Sequence, residues 1–155
     1  METLNIDSSD DVLKQLLHES FDSQIPNFGS YNLVAATGTS GSAGLKVIGF
    51  RREPAEIILC PLNPQNLRPS ERAISVNTTN IYHVALVLDG GYEVGTSTGR
   101  VYRFNVPARL SVNVPGTTAG TRTAGILAQD EDAKDFADFM NSLMDRLDPT
   151  VTEAV

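Results

Sequence analysis

The chain is short of several things that chemistry usually needs. Its 155 residues include one cysteine, so no disulfide forms within it. That residue, Cys60, sits in the apolar run Ile57-Ile58-Leu59-Cys60, where a thiol acts as a small buried hydrophobe rather than a nucleophile. Only two histidines occur, His18 and His83, on different elements and without the ligand spacing of a transition-metal site. No metal or cofactor is therefore expected. No apolar run approaches the ~20 residues that span a bilayer. The start, Met1-Glu2-Thr3-Leu4-Asn5-Ile6-Asp7, carries acids where a signal peptide is basic. With a single thiol and no export pattern, the cytoplasm is the expected compartment.

What is present reads as an ordinary globular domain, 41% hydrophobic and 20% charged. One domain over 1–149 is expected, with 150–155 as a disordered tail. The net charge is −7, unevenly spread. Residues 1–22 and 130–148 each balance at −5, whereas 23–129 carry nine basic and five acidic residues, a balance of +4. An acidic chain opposes binding to nucleic acid, which draws on clustered cations. Scattered arginines on solvent-facing strand positions account for the basic middle segment.

Ser8-Ser9-Asp10-Asp11 has the side chains of a helix start, and Val12, Leu13, Leu16, Leu17 and Phe21 follow at helical spacing. A helix over 11–21 is predicted. From Tyr31 the period shortens, and strands are predicted at Asn32–Thr37, Leu45–Arg51, Ala55–Pro61, Ala73–Asn77, Tyr82–Leu88, Tyr92–Thr96 and Val101–Val106. An eighth, Leu110–Val114, follows Pro107. Strands this short, joined by tight connections such as Asp89-Gly90-Gly91, pair antiparallel over 31–114. Residues 115–129, small and glycine-rich at their start, read as a flexible loop. A second helix over 130–148 opens on Gln129-Asp130-Glu131-Asp132. Phe136, Phe139, Met140, Leu143, Met144 and Leu147 form one stripe along it.

Two motifs invite catalysis and fail on context. Gly95-Thr96-Ser97-Thr98-Gly99 matches the G-x-S-x-G elbow of serine hydrolases, which leads from a strand into a helix. Here a strand follows, and no histidine lies downstream of His83. The loop Gly38–Gly44 lacks the Gly-Lys-Ser/Thr ending of a phosphate loop and also runs into a strand.

Seven short strands (Asn32–Val106), a glycine-rich first hairpin loop (Gly38–Gly44) and a C-terminal apolar stripe (Phe136–Leu147) together resemble the bacterial pleckstrin-homology-like domains. Ile74-Ser75-Val76, Ile81-Tyr82, Tyr92-Glu93-Val94 and Gly99-Arg100-Val101-Tyr102-Arg103-Phe104 also read like that fold's middle strands. The resemblance implies an α+β, mainly antiparallel fold: a seven-stranded barrel or sandwich, plugged at one end by the C-terminal amphipathic helix. It also implies a non-enzymatic binding or adaptor role, since such domains bind phosphoinositides, peptides or proteins. In that family basic residues beside the first hairpin often bind lipid, and Lys46, Arg51 and Arg52 lie nearby as candidate anion or partner contacts. The hairpin loop itself is neutral, so a protein partner or self-association is favoured over a phosphoinositide or membrane surface. A structural subunit of an assembly and a small-ligand-binding barrel or enzyme are the alternatives. The helix at 11–21 and the strand at 110–114 depart from the family pattern.

Overall fold

A computed structural model describes residues 6–26, 30–38, 44–87, 90–115 and 122–147. The predicted tail, the centre of the Gly38–Gly44 loop and residues 116–121 lie outside these. The fold is α+β with mostly antiparallel strands. Helix α1 (Ile6–Gln24) precedes a four-stranded sheet in the order β1 (Asn32–Ala36), β2 (Lys46–Arg52), β3 (Ala55–Pro61), β4 (Ile74–Asn77). A three-stranded sheet follows: β5 (Ile81–Leu86), β6 (Tyr92–Thr96), β7 (Val101–Phe104). A hairpin of β8 (Arg109–Pro115) and β9 (Arg122–Ala128) then leads to α2 (Asp130–Leu147).

The centre of the first sheet is buried on both faces, which explains why β2 and β3 carry consecutive apolar residues, Val47–Phe50 and Ile57–Cys60. Along β2, Ile48 and Phe50 turn toward α2 and the second sheet, where Phe136, Phe139, Met140 and Leu143 meet them. Phe136 is the hub of this core, its ring centroid 5.2 Å from Phe50 and 5.3 Å from Tyr92. Val47 turns the other way, into a second core with Leu13, Leu17 and Phe21 of α1, Val112 of β8 and Leu127 of β9. Gly49 lies on that side too, and a methyl group there would stand 2.3 Å from the Phe21 ring. Glycine lets α1 lie this close.

Three expectations change. First, 122–128 is a strand, β9, rather than part of a loop over 115–129. Its pairing with β8 runs from Arg109↔Ala128 to Pro115↔Arg122, and of its last four residues only Gly125 and Leu127 are buried. One large buried side chain gives too weak an alternation to announce a strand; the partner strand and α1 supply the order. Second, α1 begins at Ile6, not residue 11, so Ser8-Ser9-Asp10-Asp11 lies inside the helix. The Asp10 carboxylate accepts from Ala128 N–H at 3.0 Å, a tertiary partner in place of a cap. Third, among the described residues the strands fall into three separate sheets and form no closed barrel. The first and second sheets pack through the shared core and, among the described residues, are joined along the backbone by the bridge Thr37↔Asn105.

Candidate functional site

Cys60 is fully buried in the α1-side core, and burial pushes its thiol up to about 11. Ser97 stands on the turn between β6 and β7, where Gly99 N–H closes onto Thr96 C=O at 3.0 Å. A strand follows that turn, as the sequence implied. Among the described residues no group of three histidine, cysteine or acidic side chains is placed to hold a metal, and no helix is long and apolar enough to cross a membrane.

Lys46, Arg51 and Arg52 all lie on β2 but do not converge. Lys46 opens the strand and the arginines close it, about 17 Å away at ~3.3 Å per residue. Burial holds the Lys46 ammonium below the ordinary lysine range, opposed in part by Glu71, and its Nζ donates to Gly44 C=O at 3.2 Å. Arg51 points to the α1 side, where it pairs with Glu56 at 2.5 Å and lies over the Tyr31 ring at 4.8 Å. Tyr31 donates to the same Glu56 carboxylate at 2.6 Å. Burial first, then that bond, raises its phenol above the ordinary range. Arg52 points to the α2 side and donates to Asp135 at 2.7 Å. The two arginines therefore brace opposite layers of the fold.

On the outer face of the second sheet a polar row crosses three strands. His83 on β5 bonds the Glu93 carboxylate at 2.7 Å, and Arg103 on β7 donates to its other oxygen at 2.6 Å. The bonds from Arg103 and His83 hold the Glu93 carboxyl below the ordinary carboxylate range.

The sheet edges are treated unequally. At β1, the Gln129 carboxamide takes the place of a neighbouring strand: its oxygen accepts from Ala35 N–H at 2.8 Å and its nitrogen donates to Ala35 C=O at 2.9 Å. Thr37 is closed by Asn105. At β4, the Asn80 side chain accepts from Asn77 N–H at 2.8 Å and donates to Ser75 C=O at 2.9 Å. Side-chain amides thus occupy outward backbone groups at Ala35 on β1 and at Ser75 and Asn77 on β4. Sequence reading did not find either role, since a lone Gln or Asn carries no pattern.

Among the described residues the edge of β5 has no such cover. Val87 N–H bonds Gly91 C=O, so the backbone groups of His83, Ala85 and Val87 face β6 and those of Val84 and Leu86 face outward. Val84 and Leu86 have no backbone partner on that side among the described residues. The edge is also apolar: Tyr82 is 72% and Leu86 60% exposed, and no residue from Ile81 to Val87 is acidic, lysine or arginine. Alongside runs α2, and a cleft of about 110 Å³ opens between Ile81, Val76, Leu143 and Leu147. A larger cavity of about 190 Å³ opens beside β1, between Lys14 and His18 of α1 and Asp132 of α2. Compared with protein-family models, with curated proteins and with solved structures, the chain gives no match.

Proposed function

We propose that the chain is a non-enzymatic protein-binding domain of the cytoplasm, built on pleckstrin-homology-like lines, whose docking surface is the free edge of β5 beside α2. The order of parts supports the architecture: four antiparallel strands, three more, then a helix whose apolar stripe fills the space between the two sheets. The additions, α1 and the β8–β9 hairpin, lie together on the far face of the first sheet.

One observation carries the functional reading. Side-chain amides occupy edge positions of the first sheet at Ala35, Ser75 and Asn77, whereas among the described residues β5 is left open, largely apolar and without an acid, lysine or arginine. Natural sheets block exposed edges with charge, proline or cover, because an open edge pairs with any strand that reaches it. An extended segment added here gains backbone hydrogen bonds at Val84 and Leu86 and an apolar anchor at Leu86 and Tyr82. Phosphoinositide binding through Lys46, Arg51 and Arg52 has less support, since the arginines are already paired with Glu56 and Asp135.

Affinity capture from the native cell with wild type and Leu86→Pro tests the reading. Proline at 86 removes an N–H that faces away from β6, so the ladder survives. Wild type is expected to retain a partner that the variant loses. Equal capture by both, or binding to acidic vesicles abolished by Arg51→Ala with Arg52→Ala, overturns it.

A further inference from the structure

We infer that the partner strand at this edge is β5 of a second copy, paired antiparallel about a two-fold axis at Ala85. The inference rests on the β5 edge being the docking surface and names its occupant. Three features select a second copy.

The first is the spacing of the open backbone groups. Val84 and Leu86 flank Ala85 symmetrically, so a two-fold pairing sets Val84 opposite Leu86 of the other copy and the reverse. Both strands then exchange hydrogen bonds at two pairs, four in all, with nothing outward-facing left over at these positions. The second is the residue on the axis. Ala85 meets its own copy in the closer, non-hydrogen-bonded type of pair, with Cα atoms about 4.5 Å apart, and a methyl group is small enough to do so. The third is charge. Each molecule carries −7, yet the strip from Ile81 to Val87 holds no acid and no lysine or arginine. Two identical strips approach without repulsion, and nothing in the strip selects a charged foreign segment. The pairing also covers the side chain that the monomer leaves most awkwardly placed. Leu86 shares the inner face with Tyr92 but stands 60% exposed, and across the axis it meets Val84 of the other copy. The three-stranded sheet becomes a six-stranded one through an isologous interface.

Light scattering of the full chain over a dilution series tests this. Wild type is expected to reach twice the monomer mass as concentration rises. Ala85→Glu sets two carboxylates against each other on the axis, beside Glu93, and raises the dimer dissociation constant by roughly tenfold or more. An equimolar mixture of Ala85→Glu and Ala85→Lys is expected to recover the dimer, a result that misfolding does not produce. A wild type that stays monomeric throughout, or a dimer indifferent to Ala85→Glu, overturns the inference. If wild type is monomeric while Leu86→Pro still abolishes capture of another protein, the second-copy assignment falls and the docking surface stands. If neither variant changes anything, both fall.

Discussion

At the scale of single residues, packing fixes the largest expected effects. Phe139 is 2% exposed and its ring lies 5.2 Å from Phe50. Phe139→Ala is expected to cost about 3–5 kcal/mol in urea unfolding, as large truncations in a closed core do. Gly49 presents the opposite case. Gly49→Ala drives a methyl group into the Phe21 ring and is expected to cost about 1–3 kcal/mol. In a Phe21→Leu background the same change costs less, so the coupling from a double-mutant cycle identifies the clash as the cause. Glu93 gives a pH signature. Its folded carboxyl titrates below the unfolded one, because Arg103 and His83 bond the ionised form. Its stabilisation is therefore fully present above the ordinary carboxylate range and lost as pH falls through the lowered value. Thermal melts from neutral to acid pH are expected to fall less steeply in Glu93→Gln than in wild type.

At the scale of elements, the joints matter more than the elements themselves. Gln129 precedes α2, and its backbone C=O accepts from Ala133 N–H at 2.7 Å while its side chain serves Ala35 and Pro107. It is 4% exposed. Gln129→Ala leaves those β1 groups without partners and is expected to cost about 1–3 kcal/mol, with faster amide exchange at Ala35. Most elements were legible because each leaves a local pattern. The spacing from Phe136 to Leu147 fixes α2, and β3 and β6 fall at their predicted limits, Ala55–Pro61 and Tyr92–Thr96. β9 was not legible, since Thr123, Ala124 and Gly125 resemble loop residues and only pairing with β8 orders them. The candidate site was legible only as chemistry. The largely apolar character of Ile81–Val87, without an acid, lysine or arginine, can be read from the sequence, but whether an edge is open depends on which strand stops beside it and which distant side chain reaches over. Lys46, Arg51 and Arg52 show the converse: nearness in sequence suggested a patch, and the alternation of β2 sends the arginines to opposite layers.

At the scale of the whole molecule, one sheet serves two cores. The four strands from β1 to β4 have α2 and the second sheet on one side, α1 and the β8–β9 hairpin on the other. An antiparallel sheet with a solvated face tolerates polar replacements at every second position, so saturation mutagenesis of such a strand shows a two-residue rhythm of fitness. That rhythm is expected to vanish along Val47–Phe50 and Ile57–Cys60, where aspartate is rejected at consecutive sites. It is expected to persist at β9, where Ile126 is 44% exposed and Leu127 is buried. A library selected on folded yield compares the two profiles directly, and alternation in β2 would contradict the double burial. The centre of this protein leaves its sequence little freedom to drift, and heritable variation is channelled toward the hairpin and the helix surfaces.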